Sequence, residues 1–274
     1  MNFSQRLAEA TSRRGRLCVG IDPHVSLLEA WGLPTNAEGV ARFTEICVEA
    51  FAEVAVVKPQ IAFYEPYGAR GFSILEDAIK ELRSQGVLVI ADAKRGDIGS
   101  TMAGYARAWL GHGSPLESDA VTVSPYLGVG ALQPAFDVAE ENGKGVYVLA
   151  ATSNPEAIAL QGARFAAETS VAQHVVDTVA EINASSHAET VGGNLGIVLG
   201  ATVANPPSIS RLHGPILLPG VGAQGATMRD IDRLCGEDNP LALPSVSRGI
   251  LKAGPSVHAL KQAIADFVDD SVSR

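Results

Sequence analysis

Eight short apolar runs, separated by longer amphipathic stretches, constrain this chain more than any other feature. They are LCVGI (17–21), VAVV (54–57), VLVIA (87–91), AVTV (120–123), VYVLA (146–150), LGIVLGA (195–201), PILLPG (215–220) and LALPSV (241–246). Most are β-branched and lack polar alternation, as expected of strands covered on both faces. Helical patterns lie between them, for example at 39–54, 67–86, 164–184 and 254–270. Eightfold alternation of strand and helix implies a parallel sheet, and at 274 residues it favours a closed (β/α)8 TIM barrel over a doubly wound sheet. The polar, amphipathic segment 1–14 predicts a helix across the barrel's bottom. No linker or low-complexity tract interrupts the pattern, so a single domain is expected over 1–274. Long connections at about 23–38 and 152–163 are expected to close over a ligand.

Charge and cysteine content narrow the partners. The formal net charge is −9, so no basic surface invites nucleic acid or an anionic membrane. A phosphorylated substrate would need a local positive site against that field. Cys18, Cys47 and Cys235 are scattered and form no CxxC pair, which fits reduced thiols in a cytoplasmic protein. Arg13-Arg14 suggests a twin-arginine signal only until the apolar run after it is broken by Asp22. No apolar stretch is long enough to span a bilayer.

The densest chemical signal is IADAKRGDIGST, residues 90–101. It sets Asp92, Lys94 and Asp97 where a strand turns into a helix. Asp92 and Lys94 are two apart, so an extended backbone puts them on one face. Asp97 is expected to begin the helix as a cap or near-cap carboxylate. A surface salt-bridge network would use the same residue types. Lys58 and Asp22, however, end the two preceding strands, so three adjacent strands aim ionisable groups at one mouth. Such clusters perturb pKa values and mark functional sites.

A second signal, LPGVGAQG (218–225), follows the seventh run. Its Gly220-x-Gly222-x-x-Gly225 matches a dinucleotide fingerprint by letter, but it opens no Rossmann unit and lacks the acidic residue expected about 20 positions on. A backbone cradle for one phosphate fits better. SVSRG (245–249) follows the eighth run and adds Arg248, a bidentate cation beside it. The six histidines show no metal-ligand spacing, and His24 near the mouth stands alone.

Taken together, these segments resemble one family. DAKRGDIGST is similar to the D-x-K-x-x-D-I-x-x-T signature of the orotidine 5′-phosphate decarboxylases. VGIDP (19–23), VKPQIAFYEPYG (57–68), VTVSPYLG (121–128), TSNP (152–155), PGVGAQG (219–225) and SRGI (247–250) resemble that family's longer bacterial branch. The resemblance implies that Lys94 protonates C6 of the pyrimidine after CO₂ leaves and that Asp92 faces the substrate carboxylate. Lys58 and Asp97 would complete a Lys-Asp-Lys-Asp array. Asp97 and Thr101 would come from the neighbouring subunit of a homodimer and reach the ribose. Asp22 would bind a ribose hydroxyl and Ser153 the pyrimidine edge, although the run ending at Ser153 reads AATS where relatives often carry a glutamate and a methionine. Gln224 and Arg248 would grip the phosphate, with Pro219 lining the substrate site. No metal or organic cofactor is implied.

Two rival readings share part of this pattern. Mg²⁺-dependent sugar-phosphate lyases and decarboxylases of the same superfamily keep D-x-K-x-x-D but carry an acid where Lys58 stands, and a lysine there would repel a divalent ion. A catalytically dead phosphate-binding barrel would keep Arg248 and the glycine loop but could lose the tetrad.

Overall fold

The computed structural model describes residues 1–165, 169–187, 191–222, 225–237 and 239–273. Each of the eight apolar runs contributes a strand. These are β1 (Cys18–Ile21), β2 (Val56–Pro59), β3 (Leu88–Arg95), β4 (Ala120–Val123), β5 (Gly145–Ala151), β6 (Leu195–Leu199), β7 (Ile216–Pro219) and β8 (Ala242–Val246). All pair in parallel, and β8 closes the barrel on β1 through Cys18 opposite Ser245. Closure leaves no free sheet edge and forces side chains to alternate strictly between the barrel interior and the surrounding helices.

That alternation is visible in the packing. Val19, Ile21, Val57, Val89 and Ala91 join the layer between barrel and helices. Cys18, Val56, Leu88, Ile90, Ala120 and Leu243 form a second cluster inside the barrel. Phe3 and Leu7 complete this inner cluster from a helix, α1 (Phe3–Arg14), as the amphipathic 1–14 segment suggested. Asn2 caps α1 in a reciprocal capping box with Gln5, and Phe3 packs edge-on against Tyr147 at 6.0 Å. The Phe3 N–H donates to Asn194 Oδ1 at 2.7 Å, and Ser4 Oγ donates to the Gly193 carbonyl at 2.6 Å. The strands' N-terminal end is thereby sealed, leaving the C-terminal end open.

Two expected boundaries move. The helix read over 164–184 starts at Val171, and Arg164–Phe165 pairs instead with Thr169–Ser170 as a short antiparallel hairpin. Ser170 stops the helix from extending backwards, because its hydroxyl accepts the Gln173 N–H at 3.1 Å. The last helix runs from Val257 to Ser273, beginning two residues beyond Pro255. Between β6 and β7 the chain makes turns rather than a helix, with Pro206, Pro207 and Pro215 in the connection. No helix among the described residues is long and apolar enough to cross a membrane.

An ion cluster around the buried Lys144 and Asp119 braces the closed end of β3, β4 and β5. Lys144 Nζ lies 2.9 Å from Glu117 Oε1 and 3.8 Å from Asp119 Oδ1. Arg83 Nη2 reaches Glu117 at 2.8 Å, and Arg6 Nη1 reaches Asp119 at 2.8 Å. Burial works against a charged Glu117. The Lys144 hydrogen bond, the Gly113 N–H and the Lys144 and Arg83 charges outweigh it and hold the carboxyl at about 2. A depressed carboxyl adds stability above the ordinary carboxylate range of about 4.3, and that stability is lost as pH falls toward the folded value. Glu117→Gln is therefore expected to cost about 2 kcal/mol at neutral pH, because Lys144 loses its nearer counter-charge and keeps only Asp119 at 3.8 Å. Thermal melts taken from pH 5 down to pH 2 should fall less steeply for the variant than for the wild type. Parallel curves would show that Glu117 does not carry the acid sensitivity.

Candidate active site

The inward parity of the strands continues upward into the open mouth. Above Cys18 on β1 come Gly20 and Asp22. Above Val56 on β2 come Lys58 and Gln60. Above Leu88 and Ile90 on β3 come Asp92 and Lys94, and above Ala120 on β4 comes Thr122. A period of two therefore converts an apolar barrel floor into a polar mouth on the same face of each strand.

Strand β3 holds an irregularity that matters here. Ala91 pairs with Val121 and Arg95 with Val123, so Asp92, Ala93 and Lys94 all oppose the single residue Thr122. Two extra residues preserve the parity, and both Asp92 and Lys94 face inward. Lys94 takes a left-handed backbone, φ +47°, which is uncommon for a residue with a β-carbon. Just beyond, Gly96 passes so close to β4 that a β-carbon there would stand 2.5 Å from the Ser124 carbonyl oxygen.

The bulge brings four donors onto one carboxylate. Asp92 Oδ2 accepts from Lys58 Nζ at 3.0 Å and from Gln60 Nε2 at 2.7 Å. Its Oδ1 accepts from Lys94 Nζ at 2.7 Å and from Thr122 Oγ1 at 2.9 Å. Asp92 and Lys58 are buried, whereas the Lys94 side chain is 46% exposed and faces the opening. Burial alone would raise the Asp92 pKa. The Lys58 and Lys94 charges and their hydrogen bonds outweigh it and hold the carboxyl well below the usual range. Burial likewise favours a neutral Lys58, but the charges of Asp92 and Asp22 keep its ammonium above the ordinary lysine range. The site is thus a fixed array of opposite charges at neutral pH.

The structure places the other sequence-derived residues less uniformly. Asp22 follows β1, and its Oδ1 is buried with no hydrogen-bond partner among the described residues, while its charge acts on Lys58. Asp97 stays out of the Lys58–Asp92–Lys94 cluster. Its Oδ1 accepts the Ile98 N–H at 2.7 Å, and the helix it was expected to cap begins at Gly99 after an Ile98 cap with no side-chain bond. Thr101 lies exposed in the first turn of that helix. Ser153 is exposed on the loop after β5, Pro219 ends β7, and Arg248 is exposed at the start of the short helix Arg248–Leu251. Gln224 lies outside the described residues. The glycine loop takes the left-handed turns that its composition suggested, with φ of +105°, +74° and +90° at Gly220, Gly222 and Gly225. Two of its N–H groups are not free for an anion, however. The Gly222 and Gly225 N–H groups donate to the carbonyls of Ala226 and Gly222 and are used within the loop.

Gln60 and Thr122 were missed from sequence. Both lie in segments that carry the resemblance, and strand parity is the signal that would have found them. Neither is charged, so neither stood out until the bulge put Thr122 opposite Asp92. The thiols offer no nucleophile, since burial pushes Cys18 and Cys235 up to about 12. Among the described residues, no cluster of three or more histidine, cysteine, aspartate or glutamate side chains could hold a metal ion.

Known proteins match this chain over nearly its full length. The model of the "Orotidine 5′-phosphate decarboxylase / HUMPS family" matches residues 15–263. A relative from Corynebacterium efficiens, named orotidine 5′-phosphate decarboxylase, is 59% identical over 265 residues, covering 96% of this chain and 95% of its own. One of the same name from Corynebacterium glutamicum is 58% identical over 271 residues, 98% of each chain. A solved structure from Streptomyces avermitilis superposes with a TM-score of 0.93 at 47% identity, covering 99% of this chain and 95% of that one. The Leishmania donovani OMP decarboxylase superposes at 0.75 with 28% identity, covering 99% and 100%. Matched along nearly its full length, with the charged mouth in place, this chain belongs to the orotidine 5′-phosphate decarboxylase / HUMPS family.

Proposed function

We propose that this chain decarboxylates orotidine 5′-phosphate to uridine 5′-phosphate in de novo pyrimidine synthesis, with no metal or organic cofactor. The observation that carries the reading is the Asp92 carboxylate, clamped between the Lys58 and Lys94 ammoniums at the open end of the barrel. Loss of CO₂ from C6 leaves an electron pair in the plane of the pyrimidine ring, orthogonal to its π system. An electron sink that works through conjugation is of little use there, and preorganised charge is what can help. Asp92 crowds the departing carboxylate. Lys94, the exposed arm of the cluster, stabilises the developing charge and delivers its proton to C6. Lys58 keeps Asp92 ionised and occupies the place where a related Mg²⁺ enzyme would need an acid.

The remaining contacts hold the substrate. Asp22 Oδ1, buried and without a hydrogen-bond partner among the described residues, suits a ribose hydroxyl. Ser153 takes the pyrimidine edge, while Pro219, Gln224 and Arg248 line the phosphate end. Phosphate contacts far from C6 supply binding energy for loop closure and so for rate. Residues 1–274 act as one domain, in the cytoplasm, as a homodimer. Asp97 lies outside its own chain's cluster beside the exposed Ile98, and Tyr126 and Leu127 are exposed on the adjoining loop. An apolar contact there would present Asp97 and Thr101 to the partner's mouth.

The direct test is the loss of orotidine 5′-phosphate absorbance with and without EDTA, and equal rates are expected. Activity that disappears on exhaustive chelation and returns with Mg²⁺ would favour the lyase reading.

Arg248→Ala is expected to lower kcat/KM for the phosphorylated substrate by about 2–4 kcal/mol, the loss of a charge-assisted bidentate contact. The corresponding nucleoside should be nearly indifferent. Equal losses on both substrates would make Arg248 structural.

Shared sites have their own signature. Lys94→Ala and Asp97→Ala should each be inactive alone. Dissociated together and reassembled, they form about half mixed dimers, so about a quarter of all sites should regain both residues. Mixed dimers that recover no activity would return Asp97 to its own chain's site.

A further inference from the structure

We propose that Thr122 is a positioning residue for the reaction, a strut that sets the Asp92–Lys94 pair from the neighbouring strand. The inference rests on the proposed decarboxylase reading. It starts from the bulge in β3. Where three residues oppose one, the regular ladder between β3 and β4 is interrupted, and the backbone N–H of Lys94 needs another acceptor. Thr122 Oγ1 supplies it at 3.0 Å. The same hydroxyl donates its proton to Asp92 Oδ1 at 2.9 Å. One fully buried oxygen therefore holds the Asp92 side chain and the Lys94 main chain together.

This arrangement does more than satisfy polar groups. Lys94 bonds through Nζ to the same Asp92 oxygen that Thr122 holds, so Thr122, Asp92 and Lys94 close a small ring of hydrogen bonds. The left-handed φ of +47° at Lys94 is disfavoured for a non-glycine residue and persists only if its surroundings enforce it. The Thr122 bond to the Lys94 N–H does so at the residue concerned. A strand in regular register would carry Lys94 farther along the ladder, away from Asp92. The hydroxyl rotor has one proton and uses it on the carboxylate, leaving its lone pair to the amide, so its two roles are fixed by chemistry. Valine matches threonine in shape and lacks both roles, whereas serine keeps both.

The test compares Thr122→Val with Thr122→Ser in the intact protein. Thr122→Val should lower kcat by about 100-fold, the scale of an ångström-sized misplacement of a catalytic group. Affinity for uridine 5′-phosphate, measured by calorimetry, should stay within about twofold, because ribose and phosphate contacts lie elsewhere. Thr122→Ser should restore kcat to within about fivefold of wild type by returning the hydroxyl. If the valine variant fails to fold, Thr122→Ala read against Thr122→Ser makes the same comparison. A folded hydroxyl-free variant with wild-type kcat would overturn the strut, as would a serine variant no better than it. So would losses of kcat and nucleotide affinity in equal proportion, which indicate general loosening of the mouth. A wild-type protein that leaves orotidine 5′-phosphate unchanged would sink the decarboxylase reading itself. An active wild type with an indifferent valine variant sinks only the strut.

Discussion

The rest of the mouth is arranged around one buried carboxylate. Taking an ion out of water costs several kcal/mol, and the cost is offset only when its lone pairs are filled and a counter-charge is close. Asp92 meets both conditions, with two ammoniums and two neutral donors shared between its oxygens. The arrangement joins three strands, since Lys58 and Gln60 come from β2 and the residue after it, Asp92 and Lys94 from β3, and Thr122 from β4. Removing Asp92 would strand Lys58 as a buried cation. Lys58 and Lys94 are matched by Asp92 and by the nearby charge of Asp22, so cations and anions alternate at the mouth.

The barrel makes such a cluster affordable to build and hard to disturb. Its closed parallel sheet aims every second side chain inward, and its two ends differ. At the closed end, α1 and the cluster of Arg6, Arg83, Glu117, Asp119 and Lys144 seal the interior. At the open end the same inward positions become ionisable. Stability and chemistry thus occupy opposite ends of the same strands, as is general for this architecture. The bulge in β3 interrupts the regular ladder, and it lies under the residue proposed to deliver the proton.

Much of this was legible without coordinates. The eight β-branched runs marked the strands because a strand covered on both faces has no use for polar residues. Lys58, Asp92 and Lys94 stood out because charged groups at the ends of buried runs are costly unless they have a purpose. Asp22 was found the same way. Other features were hidden. Nothing in RFAAETS announces a hairpin rather than a helix start, because the competition is settled by Ser170 capping the following turn. The phosphate-loop glycines announced left-handed turns, but not that two of their N–H groups would be spent within the loop.

What the sequence by itself determined is the set of strands, their parallel closure and the identity of the charged groups, because these follow from periodicities of two and 3.6 and from the cost of burying charge. What only the tertiary structure decided is how those groups meet. Gln60 and Thr122 joined the site because closure set β2 and β4 on either side of β3. The bulge appeared because three residues of β3 face one of β4, and the left-handed Lys94 is held there by a hydroxyl 28 positions away in the chain. Hydrogen bonds depend on distances of a few tenths of an ångström between segments remote in sequence. No local pattern encodes such a distance, and it exists only once the barrel has closed.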